Sequence, residues 1–292
     1  MLKWQVGDVT ITRIVEMETV GGTRFLLPQA TYDAVREIEW LQPHFANEVG
    51  KLKMSIHALV VETPTRRLIV DTCIGNDRKR DVPQWSDLQT TFLEDLATAG
   101  FPPDSFDTVL CTHLHVDHVG WNTRWVGARW VPTFANARYL FARKEWEHWA
   151  AEAGAREAAG QGGGAPDDVL GDSVRPILDA GLAELVDTDH RLTDEVGLEP
   201  TPGHTPGHVS VRIESAGQRA VITGDLMHHP IQCAEPDRLG NFDHDAEQAR
   251  ATRRYFLACC ARDRTLVFGT HFAPPTAGHV VAADGAWRFD AQ

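Results

Sequence analysis

Thr112-His113-Leu114-His115-Val116-Asp117-His118 places four metal-ligating side chains, His113, His115, Asp117 and His118, within six residues. The apolar run Phe106 to Cys111 stands directly before it and reads as a short buried strand, so the four fall in the loop at a strand end. In a tight loop, His113 and His115 can address one ion while Asp117 and His118 turn to a second. Neutral imidazole and carboxylate suit Zn²⁺ and other first-row divalent ions. One short loop cannot complete such a site, so ligands must come from elsewhere in the chain.

Working outward, three partners stand at similar positions. His204 closes the rigid turn Thr201-Pro202-Gly203-His204. Asp225 follows the strand-like Val221-Ile222-Thr223-Gly224, and His271 follows Leu266-Val267-Phe268-Gly269-Thr270. The count then closes: His113, His115 and His204 around one ion, Asp117, His118 and His271 around the other, and Asp225 shared through its two oxygens. Each ion keeps an open position for water or substrate.

In this order, H-x-H-x-D-H, T-P-G-H, G-D and a late G-T-H resemble the metallo-β-lactamase superfamily over nearly the whole chain. The resemblance implies an α/β fold, an αβ/βα sandwich of two mixed β-sheets flanked by helices, as a single domain over 1–292. It also implies that Asp71, in Ile69-Val70-Asp71-Thr72, supports the metal loop from behind. Two divalent ions would be held, zinc first, with Mn²⁺, Co²⁺ or Fe²⁺ as substitutes. The expected mechanism is a bridging hydroxide oriented by Asp225, with Asp117 taking its proton. No G-x-S-x-G motif is present, in keeping with a reaction that needs no serine nucleophile.

Within that superfamily, the chain is most similar to the branch of quorum-quenching lactonases and methyl-parathion-hydrolase-like enzymes. The lactonases commonly place a Tyr three residues after the bridging Asp. Here His228 stands there, which leans toward the second group, as does Ile231-Gln232 through Asn241-Phe242-Asp243. His228 is expected to contact the substrate or its leaving group. The substrate implied is a small neutral lactone or ester, with phosphotriester cleavage as a side activity. Two other readings use the same fold: a mononuclear-iron oxidoreductase of the sulfur dioxygenase type, and a β-lactam or thioester hydrolase. A scaffold that has lost catalysis fits poorly with a complete ligand set.

The remaining elements follow from patterning. Val9 to Val15 alternates as a strand, and Ile56–Val61 with Leu68–Val70 flank a turn as a hairpin. Val209–Glu214 and Ala220–Thr223 form another hairpin across 215–218. Helices are expected over Tyr32–Trp40, Asp87–Ala99 with Gly100 as its stop, Lys144–Ala159, and from a cap at Asp243 to about Ala261. Gln161 to Pro166 reads as a surface loop. Arg78-Lys79-Arg80, broken by Asp77 and Asp81, reads as a solvated turn. His57 reads as a core residue and His208 as a turn or supporting residue. His44, His148, His190, His244 and His279 carry no spacing signal. Trp121, close behind His118, is the tryptophan expected to reach substrate. The segment 17–50 is open as a lid or a dimer arm.

Bulk composition excludes several classes. Of 292 residues, 42% are hydrophobic and 24% charged, which affords a sizeable core. A net charge of −13 repels a phosphate backbone, so no nucleic-acid partner is expected. No run of about 18 apolar residues exists, so no membrane span is expected. The five cysteines are odd in number and show no C-x-x-C pair. Together with a start that lacks an apolar h-region, they point to a reducing, cytoplasmic location. The expected partners are a small-molecule substrate and a second copy in a homodimer.

Overall fold

The computed structural model describes residues 1–159, 168–283 and 285–291, so the loop expected over Gln161 to Pro166 lies outside the described residues. The first sheet draws on β1 (Lys3–Val6), β2 (Val9–Val20), β3 (Lys53–Glu62), β4 (Arg67–Val70) and β5 (Thr108–Leu110). A two-stranded ribbon follows, β6 (Thr123–Val126) and β7 (Arg129–Pro132), and then β8 (Arg138–Ala142) and β9 (Ala183–Val186) complete the sheet. Its order is β1-β2-β3-β4-β5-β8-β9, antiparallel up to β4 and parallel from β4 onward. The second sheet runs in chain order from β10 (Val196–Pro200) through β11 (Val209–Ser215), β12 (Gln218–Ile222), β13 (Leu266–Phe268) and β14 (Ala277–Ala283) to β15 (Ala286–Ala291). Only its β12/β13 pair is parallel.

Alternation along the strands sorts side chains between layers, because successive residues point to opposite faces. Leu59, Val61, Leu68, Val70, Val211, Ile213 and Ile222 meet between the two sheets. Their neighbours Ala58, Val60 and Ile69 face outward into a second core. That core packs under α2 (Phe92–Thr98), which follows the short α1 (Tyr32–Arg36), and takes Trp146, Trp149 and Ile177 from α3 (Arg143–Ala158) and α4 (Arg175–Asp179). A third core covers the outer face of the second sheet. Val221 and Val267 meet there with α5 (Ile231–Ala234), α6 (Ala246–Asp263) and Leu27, Val35, Leu41 and Phe45 of the N-terminal segment. Two mixed sheets flanked by helices are the layering expected from the sequence. Among the described residues no helix is long and apolar enough to cross a membrane.

Three expectations are corrected. The helix expected from Asp87 begins only at Phe92. Residues 87–90 are tied to the preceding loop instead: Asn76 Oδ1 accepts from Thr90 N at 2.8 Å, Leu88 O accepts from Asp77 N at 3.2 Å, and Asp87 has φ 54°. Gly100 does follow with φ +92°. The cap of α6 is Asp245, whose side chain accepts from Gln248 N at 3.0 Å, and Asp243 is released for another role.

Nor is Arg78-Lys79-Arg80 a solvated turn. Arg78 is 1% exposed and Arg80 4%. The Arg78 guanidinium donates to the carbonyls of Asn76, Gly120 and Thr123 and lies 4.1 Å from the centre of the Trp130 ring. Asp172 supplies the counter-charge, 3.5 Å from Arg78 and 2.7 Å from Arg80. Burial pushes the Arg78 guanidinium down to about 10. Only Lys79 is solvated, paired with Asp87. Because breaking a buried charged network is costly, Arg78→Ala is expected to remove about 3 kcal/mol from urea-unfolding stability. Lys79→Ala, one residue away, is expected to stay within about 0.5 kcal/mol. Equal effects would contradict this assignment.

Candidate metal centre

The parallel strand pairs bring the site together. Chains leave both members of a parallel pair at the same end. Thus β4 and β5 deliver Asp71 and the His113–His118 loop to one rim, while β12 and β13 deliver Asp225 and His271 across from them. His204 comes from the turn joining β10 to β11. All seven residues read from the sequence as ligands meet there.

His113, His115 and His204 form one ligand-competent group, and Asp117, His118 and His271 form another. Asp225 lies between them. Its Oδ2 is 3.9 Å from His113 Nε2, 3.6 Å from His204 Nε2 and 3.3 Å from His118 Nε2, while Oδ1 is 3.1 Å from His271 Nε2. Asp117 reaches both His118 Nε2 (3.7 Å) and His271 Nε2 (3.5 Å). His228 also enters the cluster, with Nε2 3.2 Å from Asp225 Oδ2, and makes a further ligand-competent group with His204 and Asp225. Neither His228 nitrogen has a hydrogen-bond partner, although the residue is buried. His113 Nε2 and Asp225 Oδ1 are likewise buried without hydrogen bonds. Buried polar atoms are nearly always partnered, so orphaned nitrogens and oxygens turned toward one point fit a cation.

Behind the cluster, a ring of hydrogen bonds fixes each side chain. Asp71, in left-handed backbone (φ 56°), accepts from Thr112 N and Thr112 Oγ1 and holds His118 Nδ1 at 2.9 Å. Asp243 holds His204 Nδ1 at 3.1 Å, and Ser55 O holds His271 Nδ1 at 3.1 Å. His208 Nε2 accepts the backbone N–H of Asp225 at 2.8 Å. Gly224 is required there, since its φ is +57° and a Cβ would stand 2.5 Å from that same Nε2. Glu145, at the start of α3, ties two ligand loops together. It accepts from Leu114 N (3.1 Å) and Trp149 Nε1 (2.7 Å) through Oε1, and from Gly207 N (3.0 Å) through Oε2. Trp121 does not face the site. It is 5% exposed, stacked on Phe92, and donates to Glu16 Oε1. Glu16 stands at the β2/β3 register shift and also accepts from Ile74 N, which fixes the loop after β4.

Sequence reasoning missed Glu16, Glu145 and Asp243. The break in alternation at Glu16 was a readable signal. Nothing local marked Glu145 as a link between ligand loops, since the loop N–H groups it accepts from are 31 and 62 residues away.

Burial holds His113 and His115 well below the ordinary imidazole range and pushes His204 down to about 4 and His208 to about 3. These rings are therefore neutral and offer lone pairs. Burial opposes the charge on His118 and His271 too. Asp225, Asp71 and Asp117 outweigh it at His118, as Asp225 and Asp117 do at His271, and both rings are held above the ordinary range. Burial alone would raise the Asp225 carboxyl, but His271, His118 and His228 together hold it well below. The arrangement is a buried anion among imidazoles, suited to replacement of shared protons by metal.

The sequence profile of the metallo-beta-lactamase superfamily matches residues 53–271, from β3 through the last candidate ligand. The chain belongs to this superfamily. Among solved superfamily structures, the hydrolase AbOPH shares 23% identity with a TM-score of 0.79, covering 100% of this chain and 97% of that one. AidC, described as a dizinc quorum-quenching lactonase in complex with a product, shares 21% identity with a TM-score of 0.75, covering 99% and 96%. At this identity the likeness establishes the fold. An N-acyl homoserine lactonase of Bacillus cereus is 30% identical over 177 residues, which span 60% of this chain and 60% of that protein.

The Glu145 bridge makes a measurable claim. Glu145→Ala leaves the N–H groups of Leu114 and Gly207 without their acceptor, at about 1–3 kcal/mol each. Denaturant stability is expected to fall by about 3 kcal/mol, with faster amide exchange at those two residues. Unchanged exchange there would refute the bridge.

Proposed function

We propose that this superfamily member is a metal-dependent hydrolase that holds two divalent ions, zinc foremost, and cleaves a small neutral lactone or ester. The observation that carries the reading is the convergence of two complete ligand triads on one buried carboxylate, Asp225, with orphaned nitrogen and oxygen atoms facing the same point. His113, His115 and His204 would hold one ion, Asp117, His118 and His271 the other, and Asp225 would bridge. When bound, such ions supply Lewis acidity and a hydroxide near neutral pH.

The protein's own groups supply the rest. Asp225, locked through its backbone N–H on His208, orients the attacking oxygen. Asp117, the more exposed carboxylate of the pair, is placed to take that oxygen's proton. His228 Nε2, buried and without a hydrogen bond, is placed to donate a proton to the departing oxygen of the opened ester. The exposed rings of Phe25 and Phe242 meet edge to face at 5.7 Å, with Phe242 next to Asp243 in the chain, and would offer an apolar support for a neutral substrate. Lactones of the kind opened by the Bacillus cereus relative are within this class. A mononuclear-iron oxidoreductase would leave one complete triad without purpose. A specific observation does favour a second role for His228: its group with His204 and Asp225 makes it a competing metal ligand.

Elemental analysis paired with a lactone, aryl-ester and phosphotriester panel tests the reading. Two metals per chain are expected, with hydrolysis lost to a chelator and restored by Zn²⁺, Mn²⁺ or Co²⁺. One iron per chain without hydrolysis would overturn it. Asp225→Ala is expected to lose metal and about a hundredfold to a thousandfold in turnover, the range a positioned group contributes. His228→Ala is expected to keep both metals and lower kcat about a hundredfold. Loss of a metal in that variant would assign His228 as a ligand instead.

A further inference from the structure

A second imidazole pair stands outside the inner cluster. His148 on α3 and His244 on the loop before α6 have ring centroids 4.8 Å apart and planes crossed at 76°. The inner rings provide a measure of what that geometry permits. His113 and His115 lie 4.6 Å apart at 78°, and His115 and His204 lie 4.6 Å apart at 84°. Those three rings bring a nitrogen each within 4.8 Å of the others. The outer pair thus repeats the close edge-to-face ring packing seen in the inner group.

Its surroundings suit an ion arriving from solvent. His148 is half-buried and His244 exposed, and among the described residues neither ring makes a hydrogen bond. Both are carried on a firm frame. His244 N donates to His204 O at 3.0 Å and Asp245 N donates to Gly203 O at 2.9 Å, which pins the loop to the ligand turn. On the other side, His148 contacts Trp149 (5.0 Å), whose ring lies against His115 (5.4 Å). The pair therefore sits one side-chain layer outside His115 and His204.

We propose that His148 and His244 form an accessory site for a first-row divalent transition ion, such as zinc, on the rim of the inner cluster. Imidazole suits zinc, copper and nickel, and two imidazoles leave the remaining positions to water. A site so open binds more weakly than a four-ligand one and fills only when metal is in excess. An ion there adds positive charge and bulk beside His204, so excess zinc reduces turnover.

The pair shares no ligand with the inner cluster, so the uptake measurement stands apart from the identity of that centre, while the inhibition measurement rests on the proposed function. Zinc is titrated into the metal-loaded protein by calorimetry, alongside His148→Ala and His244→Ala. His244→Ala truncates an exposed side chain and His148→Ala a half-buried one, and both keep the backbone contacts of helix and loop. The wild type is expected to take up one weak equivalent that neither variant takes up. Its half-inhibiting zinc concentration is expected to lie at least about tenfold below theirs, the scale on which changes around a metal alter its affinity. Equal equivalents in all three proteins would overturn the site. A lost equivalent with unchanged inhibition would overturn its effect on turnover.

Discussion

One buried carboxylate governs this molecule. Asp225 lies within 3.9 Å of nitrogen atoms from five imidazoles, His113, His118, His204, His228 and His271. An ionised carboxylate removed from water costs several kcal/mol unless it is neutralised by neighbours. Neutral imidazoles whose lone pairs point at one another likewise need something positive between them. The cluster is therefore stable only as a unit, with protons or metal ions shared among its members. Parallel strands β12 and β13 in one sheet, and β4 and β5 in the other, are what bring the contributors to a common edge.

The surrounding structure prevents that edge from opening. Asp71, Asp243 and the carbonyl of Ser55 each take the outer nitrogen of a candidate ligand histidine, and His208 takes the backbone of Asp225. Holding the outer nitrogen selects which inner nitrogen faces the centre and fixes ring orientation. Glu145 clamps the His113–His118 loop to the turn carrying His204, so the two halves of the first triad move together. The loop carrying His228 is held from below. His228 N donates to Gln232, and His229 reaches the carbonyl of Phe45, so the N-terminal segment 26–46 and the third core set that histidine's position.

The legible features share one property: short-range order along the chain. H-x-H-x-D-H is complete within one loop, Asp225 and His271 each follow an apolar run of recognisable strand type, and His204 closes a Pro-Gly turn. Alternation over Val9 to Val15 marked β2 as a strand before any contact was known. What escaped were residues whose meaning depends on a distant partner. Arg78 and Arg80 looked solvated because the nearby aspartates break the run, but Asp172, more than ninety residues on, draws them inside. Asp243 looked like a helix cap because Asp is a good cap, but Asp245 takes that role and Asp243 turns to His204. Trp121 followed the metal loop closely, but Glu16 and Phe92 turn it into the core.

The amino-acid order alone names the candidate ligands and suggests their division into two triads and a bridge, and its resemblance to the superfamily implies the layered α/β architecture. The motifs and the strand ends that carry them follow from residue type and local periodicity, which act over a few residues and need no partner. Which histidines are orphaned and which are held, how carboxylates distribute among them, and where His148 meets His244 are decided only in three dimensions. Hydrogen bonds and charge pairs form between atoms a few ångströms apart, and the chain separations that produce those distances are set by sheet topology.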